Sequence, residues 1–313
     1  MNTVRIEKAV ATFLTALSLT VVAFDSAHAQ WVPPRGEGSF SIEYQYFTTG
    51  QHLWSELSGA RGYPLAEWGP DDTKVTGYIV VMSLDYAVYD RIAVNLSLPF
   101  IHTEFSGSWL YAEGSSSHRI DVAPNNAFQD LGVDFRYMAL TEPLFVTTSI
   151  GLNWPTHEYG THGHSAIGKN LKTFRVGASV GRMLDPVVPG VYLQGSYSYH
   201  FSEKVRGINL NRSNASVGIT YFAPIRSLSL SAYWNHQITH GGIDSSDLDF
   251  PTNDMFDVHD RIATENFGQL GGVISYAWTH WLSIYAGAFR IIDRVSENSQ
   301  RSRGINIGTI TYF

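Results

Sequence analysis

Alternation of apolar and polar residues, repeated in a dozen separate segments, constrains this chain more than any other feature. Successive side chains of a strand point to opposite faces, so a period of two means strands with two unlike surroundings. Residues 39–47 set Phe40, Ile42, Tyr44 and Tyr46 against Ser39, Ser41, Glu43 and Gln45. Residues 130–139 set Leu131, Val133, Phe135 and Tyr137 against Asp130, Gly132, Asp134 and Arg136. The second set of each pair does not belong in an oily core, because buried charges need water or partners. The same reading predicts strands at 77–86, 92–100, 144–154, 174–180, 191–201, 215–222, 228–238, 267–276, 282–291 and 304–313. Most have about the nine to eleven residues that a tilted strand needs to cross a bilayer.

The connections alternate in length. Those at 87–91, 141–143, 184–190, 223–226 and 277–281 are short. Those at 48–74, 101–129, 155–172, 202–212, 239–265 and 292–303 are long. Short turns at one end and long loops at the other are the asymmetry of an outer-membrane barrel. The expectation is an all-β fold, a transmembrane antiparallel β-barrel of about 12 strands formed by residues 39–313 as a single domain. The last strand finishes on Phe313, is expected to pair with the first, and is the expected handle for the barrel-assembly machinery. A secreted soluble sandwich is the alternative fold. It explains short strands but not the alternation of long and short connections.

Residues 1–29 read as a cleaved signal peptide. Arg5 and Lys8 precede a mostly apolar run to Phe24, and Ala27-His28-Ala29 offers a small-x-small cleavage site. Residues 30–38 are then a periplasmic tail, either free or inserted into the lumen with Trp31 as its anchor. Cys is 0, so no disulfide staples an exported fold. Charged residues are only 16%, below the usual quarter, and Tyr, Ser, Thr, Asn and Gly take their place. That mixture suits a wall between lipid and a polar interior in the outer membrane of a Gram-negative cell. Outer-membrane lipid, lipopolysaccharide and a small solute are the expected partners. A net charge of -7 argues against nucleic acid. Aromatics near strand ends, Tyr44, Tyr86, Trp154, Tyr276 and Trp281 among them, suit two interfacial girdles.

Polar residues on the inward parity are the candidate lumen lining. Glu43, Asp85, Asp130, Asp134 and Arg136 come from the first half of the chain. Asn153, Arg175, Gln194, Tyr233 and Asn235 come from later strands. Asp134, Arg136 and Arg175 are expected to pair across neighbouring strands as an electric constriction. In the long loops, Trp54, Tyr63, Trp68, Trp109 and Tyr111 are candidates for stacking on a solute. His162 and His164 have a chelating spacing, but their loop is Gly-rich and no cysteine assists, so no metal or other cofactor is expected. Aspartates between Asp244 and Asp260 read as a solvated loop. No enzyme is expected either. A lipid-facing hydrolase needs Ser and His together with a third group behind the His. His236 faces outward beside Trp234, with no Ser at a two-residue offset.

The stretch 126–181 resembles a known family. Asp130-Leu131-Gly132-Val133-Asp134 continues through Phe135-Arg136-Tyr137, and Gly151-Leu152-Asn153-Trp154-Pro155-Thr156 ends the next strand before a Gly-rich loop. In this the chain is similar to the outer-membrane family of transporters named for the MetA pathway of phenol degradation. His157 stands where the family usually has a glycine after Pro-Thr. The resemblance implies a channel for small, hydrophobic or aromatic compounds. The residues themselves leave two alternatives open, a non-transporting structural or ligand-binding barrel with a plugged lumen, and an outer-membrane phospholipase.

Overall fold

A computed structural model describes residues 31–53, 63–64, 72–107, 124–225, 227–243, 258–297 and 299–313. The predicted signal peptide lies outside the described residues, as do Trp54, Trp68, Trp109, Tyr111 and the aspartates from Asp244 to Asp257. Among the described residues, twelve long strands follow one another around a single sheet. They are β1 Gly38–Leu53, β2 Lys74–Tyr89, β3 Ile92–Ser106, β4 Asp130–Leu140, β5 Phe145–Pro155 and β6 Thr173–Met183. Then come β7 Val191–Ser202, β8 Arg212–Phe222, β9 Leu228–Thr239, β10 Asn266–Ala277, β11 Leu282–Glu297 and β12 Ser299–Tyr312. Each pairs antiparallel with the next, and β12 returns to β1, with Ser39 opposite Tyr312 and Tyr46 opposite Ile305. Closure leaves no sheet edge unpaired, which a strand in lipid requires. This is a closed 12-strand barrel and not a sandwich. Two short pieces add to it. Tyr63–Pro64, of which only the backbone is described, pairs with β1, and Asn125–Phe128 extends the line of β4 against β3.

The sequence alternation maps onto the wall. Ile150, Leu152, Val217 and Ile307 point outward and are each more than half exposed. In water so large an apolar girth would aggregate; in a bilayer it is solvated by lipid. Rings band both ends of the outer wall. Tyr78 stacks on Tyr44 at 5.7 Å and on His102 at 4.8 Å toward the long loops, and Tyr86 faces Phe313 at 6.5 Å near the short turns. Several strands outrun the expected length. β1, β2 and β11 have 16 residues, β3 has 15 and β12 has 14. Past the apolar band the outward residues turn polar, as Thr76 and Glu104 show, while Val75 and Phe105 still face inward.

The interior departs from a uniformly polar lining. Phe47, Val75, Ile79, Val81, Ile101 and Phe105 of β1 to β3 face inward and form a buried cluster with Tyr159 and Ile167. These inward residues have a partner, because the β5–β6 loop folds in among them and excludes water. A second cluster joins the loops across the mouth, with Leu171, Val205 and Leu210 against Ile262. Ile262 belongs to a short helix α1, His259–Ile262, in the β9–β10 connection.

Candidate functional site

The β5–β6 loop, residues 156–172, builds the site. Pro155 ends β5, and the chain turns into the lumen instead of rising beside it. Residues 163–168 are all buried, with Ser165 and Ala166 fully so. Small residues suit this role, because their backbone can approach the wall closely. Asn125 Nδ2 donates to Ser165 O at 2.8 Å, Gln129 Nε2 donates to Ile167 O at 3.1 Å, and the Thr103 hydroxyl donates to Ser165 O. Gly168 lies so close to Gln129 that a Cβ there would meet its Nε2 at 2.5 Å. His164 stacks on Phe105 with ring centroids 4.5 Å apart.

The loop is latched to α1. Gly163 N donates to Asp260 Oδ2 at 2.9 Å. Arg261 donates to the carbonyls of Lys169 and Asn170 at 2.9 and 3.0 Å. Lys169 Nζ donates to Ala263 O at 2.7 Å and lies 3.9 Å from Glu265. Burial lowers the proton affinity of Lys169, and Glu265 works against that shift. Tyr159 donates from its hydroxyl to Asp130 Oδ1 at 2.5 Å. Burial, with the Asp130 charge beside it, pushes its phenol well above the usual range, so it remains a donor.

Beneath this lid lies a chamber of about 80 Å3. Asp130, Asn153, Arg175, Arg212 and Gln237 are on its walls, with Lys169 and Leu171 in its roof. An apolar cavity of about 150 Å3 is known to accept benzene. The chamber offers about half that space and is only partly enclosed. Its charges come in pairs. Arg175 binds Asp134, and Arg136 turns the other way to bind Asp85 across the intervening strand. The three expected residues thus form two ion pairs, and the Arg136 charge still acts on Asp134.

The rest of the predicted lining divides between two places. Glu43 sits at the β1–β12 seam, accepts from Asn306 Nδ2 at 3.0 Å, and is also hydrogen-bonded to Gln45 and Tyr285. Gln194, Tyr233 and Asn235 belong to a wall of short polar side chains on β6 to β9. There Ser196 meets Ser216 at 2.6 Å and Thr220 meets Ser231 at 2.9 Å. The Tyr233 ring lies flat over Gly271, where a Cβ would come within 2.3 Å of it, and Tyr285 lies over Gly308 in the same way. Flat rings keep the lumen clear. Sequence spacing did not single out Lys169, Arg212 or Arg261. The only signal was a charge set beside a Gly-rich loop.

At the short-turn end, Trp31 stacks on Phe145 at 4.6 Å and leans on Tyr192 at 6.0 Å. Tyr192 is on β7, six strands from β1 in a ring of twelve, so residues 31–37 cross the mouth to the opposite wall. Among the described residues no group of three or more His, Asp or Glu could hold a metal, and packing already occupies His164. One outward Ser–His pair does form between neighbouring strand ends, Ser213 Oγ to His240 Nε2 at 2.5 Å. His240 stacks on Tyr199, and among the described residues no carboxylate stands behind it, so the third member of a hydrolytic triad is missing.

No protein-family model matches the chain, and no curated protein matches its sequence. Among solved structures the chain is similar to the COG4313 outer membrane channel from Pseudomonas putida F1, at 15% identity, with 90% of this chain and 97% of that chain covered and a TM-score of 0.65. The fold is that of an outer-membrane barrel. The NanC porin covers 87% of this chain and 98% of its own at 9% identity and a TM-score of 0.48. The CymD monoaromatic hydrocarbon channel covers 90% and 89% at 13% identity and a TM-score of 0.44.

Proposed function

We propose that this barrel is an outer-membrane channel for small solutes, closed in the form described here and opened by movement of the β5–β6 loop. The observation that carries the reading is the contrast between the two halves of the wall. β1 to β3 are packed against the loop, whereas β6 to β9 present hydroxyls and amides of short reach that line an unfilled side of the lumen. Side-chain atoms there, Gln194 Oε1 and Asn214 Oδ1 among them, are buried without a protein partner. Buried polar atoms cost free energy until they are satisfied, so these amides favour an opened lumen in which water or a solute reaches them. The family resemblance and the flat luminal rings of Tyr233 and Tyr285 favour hydrophobic or aromatic solutes. Passage is passive, since a barrel wall carries no energy source.

Single-channel recording of the mature protein in a planar bilayer tests this. Discrete conductance steps, more frequent when the latch is weakened by Arg261→Ala, are the expected result. Silence from both proteins at all salts and voltages would overturn it. A second reading, a binding barrel with a permanently plugged lumen, is favoured by the burial of residues 163–168 and by Trp31 at the other mouth. It predicts that silence.

A further inference from the structure

At the short-turn mouth the wall already holds an aromatic ring, and the ring comes from the chain's own tail. Phe145 opens β5 and Tyr192 is the second residue of β7, with ring centroids 6.4 Å apart and planes inclined by 57°. β6 runs between them, and its residue opposite Phe145 is Gly181. Opposed residues of an antiparallel pair share a face, so this point of the wall beside Phe145 carries no side chain. The Trp31 indole fills the corner. It stacks on Phe145 at 4.6 Å with planes 25° apart and leans on Tyr192 at 6.0 Å. It is also hydrogen-bonded to Tyr192, and its N–H can only donate, so the phenol oxygen accepts. Tyr192 is 1% exposed, whereas Trp31 is 42% exposed. The indole therefore lies on the wall as a guest does, and not within it.

Trp31 sits at the end of an arm. Pro33 and Pro34 have no N–H to offer the wall. The arm is fixed further on, where Gly36 N donates to Ala87 O at 2.9 Å and Ala87 N donates to Glu37 O at 3.0 Å. A ring on so short a tether competes for its slot at an effective concentration on the order of millimolar, so a free ring of the same shape can replace it. The requirements are those that the indole meets, a flat face for Phe145 and one donor for Tyr192. We propose that Phe145, Tyr192 and the bare wall at Gly181 form a subsite for a planar aromatic solute that bears an N–H or O–H donor, and that Trp31 occupies this subsite as a tethered stand-in. This rests on the lumen being a solute path, but binding is measurable without transport.

The test is equilibrium dialysis of indole against the mature protein, with every variant at one detergent concentration so that partition into micelles cancels. Trp31→Gly changes a residue outside the strands and vacates the slot. It should retain at least about threefold more indole than the native protein, whose own ring competes. Phe145→Leu in the Trp31→Gly background keeps the bulk and removes the stacking face, and should weaken retention about two- to tenfold. 1-Methylindole has the ring without the donor and should bind Trp31→Gly more weakly than indole by a similar factor, about two- to tenfold. Tyr192→Phe removes only the hydroxyl, should erase that difference, and serves if Phe145→Leu does not fold. No gain of Trp31→Gly over the native protein would overturn the subsite and leave Trp31 as an anchor of the tail. So would a gain that neither Phe145→Leu nor Tyr192→Phe alters. Indole retained in the slot of a barrel that never conducts would support the subsite and overturn the channel. Conduction without retention would do the reverse.

Discussion

Single residues in the lumen carry unequal weight. Arg136 is 7% exposed and its partner Asp85 15%, so removing the cation alone strands a carboxylate. Arg136→Ala should cost about 3 kcal/mol in urea unfolding, and Arg136→Met with Asp85→Leu should recover most of the loss. Arg175 and Asp134 are more open, at 22% and 23%, so Arg175→Ala should show more in ion selectivity than in stability. Reversal potentials in a salt gradient should move toward cations, because Asp134 remains. Gly271 matters for a different reason. Any side chain there lifts the Tyr233 ring off the wall, so Gly271→Val should reduce conductance and destabilise the barrel by about 1 to 3 kcal/mol.

At the scale of elements, the lid is the decisive piece. Its hold on α1 depends on Lys169, which faces Glu265, Asp260 and Arg212. The closed lid lowers the affinity of Lys169 for its proton, while an open lid returns it to water and to the ordinary lysine value of 10.5. The protonated lysine therefore penalises closure at neutral pH, and the penalty fades as pH rises through the lowered value toward 10.5. Open probability should fall over that range in the native protein, and Lys169→Met should remove the dependence. Strand centres were legible in the sequence, because lipid on one side and lumen on the other enforce alternation. Strand ends were not, as Thr48 and Thr49 of β1 show, since beyond the bilayer the outward residues turn polar and the contrast between the faces is lost from the sequence. Nor was the lid. Gly160 to Gly168 reads only as a Gly-rich outer loop, and only the inward apolar row of Ile79, Val81, Ile101 and Phe105 hinted that something packs there. Ion-pair choice was equally hidden, because whether Arg136 turns toward Asp134 or Asp85 depends on strand tilt.

The whole molecule has two obstructions in series, the latched loop at one mouth and residues 31–37 at the other. Resistances in series add, so relieving the smaller one changes little. Trp31→Ala and Arg261→Ala should each raise conductance modestly, and the double variant should raise it by more than the two gains combined. Equal and additive effects would point to separate parallel paths. The membrane-facing band of the outer wall is mainly apolar, so none of these luminal changes should alter membrane insertion, which heat-dependent mobility on gels will report.

The Glu43 seam bears on how the barrel forms as well as on how it stands. Glu43 and Asn306 meet across 263 residues of chain, the longest separation among the side-chain contacts described above. Hairpins along the wall join near neighbours and close at little entropic cost, whereas β1 and β12 must find each other across the entire polypeptide. The seam is then the last contact made, and a carboxylate that waits for its donors there makes completion of the cylinder an all-or-none event. A Glu43→Ala protein should accumulate as an unclosed, protease-sensitive curl of otherwise native hairpins, visible in a refolding time course before any cylinder appears.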